Sequence, residues 1–234
     1  MGYPRFIGKV EDGYVILTDE EFHHAKVKRI KKGYKIEVND LSGNVYLSEV
    51  EEIGKRYIKA RILEKLKIEE QNLKTLLYLC MPNHLSKVDD LIEPISELGV
   101  YKLVPVISKN SAVKSKDVLK KIKKWEKIAL NSIKQCERLF PLKISEPIKF
   151  FDINLDTDIG FIFYEREKKE TLKNYIKGNV DSVSVIIGAE GGITDEELNF
   201  AKKEGFKSVS LGKFILRMET AVISGVCQVN FVFS

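Results

Sequence analysis

From Phe6 to about Leu63 apolar residues recur at alternate positions in short runs, each closed by turn-forming residues, the pattern of half-buried strands. The runs are Phe6 to Val10, Tyr14 to Leu17, Tyr34 to Val38, Val45 to Val50 and Tyr57 to Leu63. Turns are predicted at Asp12-Gly13, Lys32-Gly33 and Ser42-Gly43-Asn44, and one helical piece at Glu20 to Ile30. Such closely spaced short strands predict a small β-barrel. Near Glu69-Glu70-Gln71-Asn72 the texture changes, so a first domain is expected over residues 1–70 and a second over residues 71–234.

The second domain reads as alternating strands and helices. An apolar run from Leu73 to Met81 is followed by a helix over Ser86 to Leu98, stopped at Gly99, and by a strand over Tyr101 to Ile107. Strand, helix, strand implies a parallel sheet. Further strands are predicted at Ile159 to Tyr164, Val183 to Ile187 and Ser208 to Leu211, and a closing helix begins near Glu219. Between them, Val118, Leu119, Ile122, Trp125, Ala129, Ile133 and Cys136 recur every three or four positions and describe one helical face; the other face is mostly lysine. A lysine face alone is usually just solvated, and an RNA-facing role needs further support.

Charge adds to this picture through its placement. The net charge is only +5, yet residues 109–149 hold twelve Lys or Arg against four Asp or Glu, while the first seventy residues hold fourteen against thirteen. That segment carries the positive field, and a polyanion is its natural partner. Cys80, Cys136 and Cys227 are widely separated and form no CxxC pair, so all three are expected to be reduced packing residues. No metal site is expected, since the three histidines are few and His23-His24 are adjacent, pointing about 100° apart on a helix. No long apolar stretch or secretory leader is evident, and a soluble, cytoplasmic protein without membrane contact is expected.

Two loops carry candidate chemistry. After the strand Val183 to Ile187 comes Gly188-Ala189-Glu190-Gly191-Gly192, then Thr194-Asp195-Glu196-Glu197, a capping box. A glycine-rich turn at the carboxyl edge of a parallel sheet lets backbone N–H groups approach a small molecule. The spacing fits neither GxGxxG nor GxxxxGK[ST], and Glu190 would repel a phosphate; a cation or a hydrogen-bond donor suits it better. A tight turn with an exposed glutamate is the plain alternative. The second loop, Leu211-Gly212 followed by Lys213-Phe214-Ile215-Leu216-Arg217-Met218-Glu219-Thr220-Ala221, places a lone arginine in an apolar stretch before a helix that Glu219 or Thr220 could cap. Burying Arg217 is costly unless it meets a carboxylate of the fold, Glu219 or Glu190, or charge on a ligand.

The ordered set Ile187-Gly188-Ala189-Glu190-Gly191-Gly192, Leu211-Gly212 and Ile215 to Ala221 resembles the carboxyl-terminal signature of the RsmE family, the ribosomal RNA uracil-N3 methyltransferases of the SPOUT class. The likeness runs through Arg5-Phe6, His23-His24 with Val27 and Arg29, Glu97-Leu98-Gly99-Val100 before Pro105, and Gln135 with Arg138 and Pro141. The chain departs from the family pattern at Ala189, usually proline, at Phe214, often arginine, and at Pro94, commonly lysine, where the helix is expected to shorten.

The resemblance implies an α/β fold: a trefoil-knotted SPOUT domain with a mostly parallel sheet, preceded by a PUA-like RNA-binding β-barrel. It also implies a homodimer and a cofactor, S-adenosylmethionine, cradled by three loops. Mapped here these contribute Phe163 and Tyr164; Ile187, Gly188, Glu190 and Gly191; and Leu211, Gly212, Ile215, Leu216 and Thr220. The implied reaction is methylation of uridine N3 in 16S ribosomal RNA of the small subunit, on the assembled 30S particle. Because that nitrogen is protonated at neutral pH, a cation aimed at the uracil oxygens would help; Arg217 is the first candidate and Arg138 the second. Arg5, Arg29, Gln135 and Arg138 are the candidate RNA-binding residues. The competing readings are ribose 2′-oxygen methylation and a catalytically silent RNA-binding protein.

Overall fold

Gly8 decides how the first strands are laid out. The computed structural model describes residues 2–176 and 180–234, and in it the expected strand from Phe6 to Val10 is broken into β1 (Arg5–Ile7) and β2 (Lys9–Glu11). A Cβ on Gly8 would lie 2.8 Å from Val38 Cγ1 and 2.9 Å from Leu17 Cδ2, so only glycine permits this approach. The remaining strands of this sheet are β3 (Tyr14–Thr18), β4 (Lys35–Asn39), β5 (Val45–Ile53) and β6 (Tyr57–Leu66), with helix α1 (Asp19–Val27) after β3. Their order is β1-β4-β5-β6-β3-β2, so strands adjacent in the chain end the sheet on opposite sides, as a barrel-like curl requires. Asp12 and Gly13 both have positive φ, the backbone of a tight hairpin turn. Phe6, Val15, Leu17, Phe22, Ile36, Val38, Val50 and Ile58 fill the interior.

This compact unit comprises the residues up to Glu70 together with Ile133–Pro141. The later segment is held by side chains of the sheet. Arg5 donates through Nε and Nη2 to Glu37 Oε2 at 2.9 and 2.7 Å and through Nη1 to the Glu137 carbonyl at 2.7 Å, and Asn39 Nδ2 donates to the Leu139 carbonyl at 2.9 Å.

The second unit, Gln71–Ser132 with Leu142–Ser234, is built on an all-parallel sheet of β7 (Lys74–Cys80), β8 (Lys102–Ile107), β9 (Lys143–Ile144), β10 (Ile148–Lys149), β11 (Ile159–Phe163), β12 (Ser182–Ile187) and β13 (Lys207–Val209). The order is β10-β8-β7-β12-β11-β13, with β9 also on β8. Both faces are covered, so its strands are apolar on alternate sides: Leu77 and Leu79 enter one core layer, Tyr78 and Cys80 the other. The two-residue strands β9 and β10 are too short to leave a sequence pattern.

Helices α2 (Ser86–Glu97), α3 (Ser115–Cys136), α4 (Asp195–Lys203) and α5 (Met218–Phe233) complete the unit, α3 extending into the segment grouped with the first. Pro94 does not shorten α2, contrary to expectation; the helix runs through it and stops at Gly99, whose φ is +81°. On α3, Val118, Trp125, Ala129 and Ile133 are buried, but Leu119 is exposed. The indole N–H of Trp125 donates to Asp89 Oδ1 at 2.7 Å, while Lys121 and Lys124 meet Asp89 Oδ2 at 2.9 and 2.7 Å. Part of the lysine face is therefore committed to the fold. From β13 at the sheet edge the chain returns to lay α5 over β12 and α2, and against the 3-10 turn Leu172–Tyr175 of the β11–β12 connection.

The cysteine expectation needs one correction. Cys80 is buried, with its thiol pushed up to about 12 mainly by burial, and Cys136 is half-buried, but Cys227 is exposed on α5.

Candidate active site

Three neighbouring parallel strands, β12, β11 and β13, end on one edge of the sheet, and the loops that leave them enclose a cavity of about 510 Å³. That size suits a small molecule of several rings or chains. Phe163 and Tyr164 close β11; Ile187, Gly188, Glu190 and Gly191 leave β12; Leu211, Gly212, Ile215, Leu216 and Arg217 follow β13. The structure thus brings together every residue expected in the three cradling loops except Thr220, which is exposed on α5 and is not part of the cavity wall.

The glycine loop is braced from several sides. Asn110 Nδ2 donates to the Gly191 carbonyl at 2.8 Å, and a Cβ on Gly191 would fall 2.7 Å from that asparagine's own Cβ. Gly192 has φ +68°, and a side chain there would meet Glu165 Oε1 at 2.4 Å. The loop ends in the expected capping box: Glu197 N–H donates to Thr194 Oγ1 at 3.3 Å, and the Thr194 N–H returns to Glu197 Oε2 at 2.9 Å. Glu197 is fully buried, and its other oxygen accepts from the Lys109 N–H at 2.8 Å. A buried carboxylate is tolerable here because backbone donors saturate it.

Among the described residues, side-chain hydrogen bonds hold the loop after β13 at its start. Ser210 Oγ donates to the Gly212 carbonyl at 3.0 Å, and Gln228 Nε2 donates to the Leu211 carbonyl at 3.3 Å. Beyond them Phe214 and Ile215 are 77% and 78% exposed. Arg217 occupies the N-cap of α5, so neither Glu219 nor Thr220 caps that helix as expected. Nor is Arg217 buried against a carboxylate. Its side chain is exposed and pairs with neither Glu190 nor Glu219.

Those two carboxylates are bridged by Lys87, which no local motif marks. Lys87 Nζ lies 2.8 Å from Glu190 Oε1 and 3.2 Å from Glu219 Oε1, and Glu190 Oε2 accepts from the Asn83 N–H at 3.2 Å. Hydrogen bonds to Glu190 and Glu219 hold the lysine above its ordinary value. Burial opposes ionisation of Glu190, but the Lys87 ammonium and backbone donors outweigh it and hold the carboxyl below its usual range. Lys87, Glu165, Asn110 and Glu219 carry no local signal, since each acquires meaning only from elements distant in the chain. The charged groups of the wall are Lys87, Arg217, Glu165, Glu190 and Glu219, a net charge of −1.

The remaining candidates lie in the first unit. Arg5 is only 5% exposed and spends three donors on Glu37 and Glu137. Arg29, with φ +55°, and Gln135 are exposed; Arg138 is half-buried, and burial lowers its proton affinity. Among the described residues no group of three or more His, Cys, Asp or Glu could hold a metal ion, and no helix is long and apolar enough to cross a membrane.

Comparison with known proteins places this geometry. Residues 69–229 match the family model of an RNA methyltransferase domain, and residues 17–63 that of an RNA methyltransferase PUA domain. The chain is 33% identical to ribosomal RNA small subunit methyltransferase E of Aquifex aeolicus, over 90% of this chain and 91% of the relative. It is 35% identical to the protein of the same name from Mesomycoplasma hyopneumoniae, over 94% and 96% of the two chains. In fold it is similar to a ribosomal RNA small subunit methyltransferase E from Neisseria gonorrhoeae solved with S-adenosyl methionine, with a TM-score of 0.87, 24% identity, and coverage of 99% and 98%.

Proposed function

The chain belongs to the ribosomal RNA small subunit methyltransferase E family, and from that premise we propose that it transfers a methyl group from S-adenosylmethionine to N3 of a uridine in 16S ribosomal RNA. The carrying observation is the cavity at the carboxyl edge, with its glycine-built wall and net charge of −1. At neutral pH S-adenosylmethionine has a sulfonium, an ammonium and a carboxylate, a net +1, so wall and donor are complementary. The residues fit the donor on a second count. At Gly191 and Gly192 a Cβ would strike Asn110 and Glu165, so backbone rather than side chain is presented there.

In this reading the backbone of Phe163–Tyr164, Ile187–Gly191 and Leu211–Leu216 holds the donor. The bound donor supplies an electrophilic methyl group, so the protein needs no covalent nucleophile. What the chain must add is alignment and help in removing the N3 proton. Arg217, exposed at the cavity wall and free of carboxylate partners there, has its five donors available to the oxygens of an ionising uracil. Thr220 then acts outside the donor site. Arg29, Gln135 and Arg138 position RNA, with Arg5 serving them by holding the Glu137 carbonyl and Asn39 by holding those of Arg138 and Leu139. The working protein is a homodimer with a knotted second domain, and the assembled 30S particle is the substrate.

Incubating the purified protein with labelled donor and either 30S particles or naked 16S RNA, then digesting to nucleosides for mass analysis, tests this reading. N3-methyluridine from the particles is expected. A 2′-O-methyl nucleoside would overturn the choice of acceptor, and no donor binding by calorimetry would overturn the enzymatic reading altogether.

A further inference from the structure

Lys87 stands at the start of α2, Glu190 in the loop after β12, and Glu219 in the first turn of α5. These elements are separated by about a hundred residues or more in one case and about thirty in the other, yet one ammonium touches both carboxylates, at 2.8 and 3.2 Å. All three side chains line the cavity and are about one-third exposed. Glu219 Oε2 is shielded from solvent and makes no hydrogen bond. Without the lysine, the two carboxylates that now share one ammonium would repel each other, pressing the glycine loop and the start of α5 apart.

We propose that Lys87 is a positioning residue for the methyl donor: by clamping Glu190 and Glu219 it sets the spacing between the glycine loop and the start of α5. The clamp acts on binding, not on the transfer step, because Lys87 pairs with the wall and is not needed as a proton carrier. This inference rests on the proposed donor site. The other charged groups of that wall are Glu165, on the loop after β11, and Arg217, at the α5 N-cap. Neither pairs with Lys87, and the bridge between the two glutamates is made by the lysine.

The test is calorimetric titration of S-adenosylmethionine into folded wild-type, Lys87→Met and Lys87→Arg protein between pH 5 and pH 8, with thermal unfolding of each as a check on folding. Wild-type affinity should stay nearly level across this range, since pairing holds Lys87 above and Glu190 below their ordinary values. Lys87→Met should bind about tenfold more weakly at pH 8, about 1.4 kcal/mol, the lost spacing outweighing the pull of a more negative wall on a cationic donor. It should regain affinity on acidification, as one of the two unscreened carboxyls takes up a proton and the pair can share it. Lys87→Arg should restore most of the loss. A merely structural lysine would lower affinity equally at every pH, and that result, or wild-type affinity in Lys87→Met, overturns the proposal. No binding by the wild type would instead overturn the functional reading on which it rests.

Discussion

Two loops wall the same cavity and are held in opposite ways. The loop 188–192 is clamped by Asn110, by Lys87 through Glu190, and by the capping box behind it. Among the described residues the loop 213–217 has no such side-chain braces, and it leaves Phe214, Ile215 and Arg217 exposed. The difference separates two demands of group transfer. A cradle for the donor gains from rigidity, because order present before binding need not be created during it. A group that meets a nucleobase brought in on a large RNA gains from accessibility. Under the proposed function the first loop serves the donor alone, whereas the second adds Arg217, turned to the acceptor, to the Leu211–Leu216 backbone that also faces the donor.

The sharpest way to break the comparison is Arg217→Ala. Single-turnover methylation is expected to fall by about 10²–10³-fold, the usual effect of removing a charge-stabilising donor, while calorimetric donor affinity changes little. An equal loss of affinity would erase the division of labour. Next is Gly192→Ala, which forces a side chain to φ +68° and against Glu165. A cost of about 2 kcal/mol, seen as weaker donor binding or as lower stability, is expected from that strain.

Asp89→Asn tests the support of the rigid side, because Asp89 anchors α2, the helix that carries Lys87, to α3. Burial works against its ionisation, but hydrogen bonds from Lys124, Lys121 and Trp125 prevail and lower the carboxyl from its ordinary 3.8. A group so depressed contributes its full stability above the unfolded value and loses it as pH falls through the folded one. Asp89→Asn should therefore cost about 1.5 kcal/mol at pH 7 and flatten the decline in stability below about pH 4. Denaturant unfolding followed by the fluorescence of Trp125, the single tryptophan of the chain, reads both effects. The smallest effect belongs to Thr194→Ala, about 1 kcal/mol of stability from the lost cap, measured the same way. Donor affinity should change less than in Lys87→Met, since the loop keeps its other braces.

Much of the architecture could be read directly from the order of residues. Period-two runs marked the strands of the first unit, the glycines at 13, 33, 43 and 99 marked turns and a helix stop that need positive φ, and Thr194 with Glu197 marked a cap that forms as expected. These features depend on neighbours a few residues away, so the local chain contains what is needed to see them. The loop motifs around Gly188 and Arg217 were legible for the same reason, and together with their order they sufficed to point to the family.

What the tertiary structure alone decided is who meets whom. Glu219, two residues from Arg217 in the chain, was with Glu190 one of the carboxylates that arginine could have met, yet it turned to Lys87, more than a hundred residues away, and left the arginine exposed. Arg5 was expected on a binding surface and is instead inside, tied to Glu37. Ion pairs form between side chains that the packed backbone brings within a few ångströms, whatever their separation in sequence, and no local pattern records that distance.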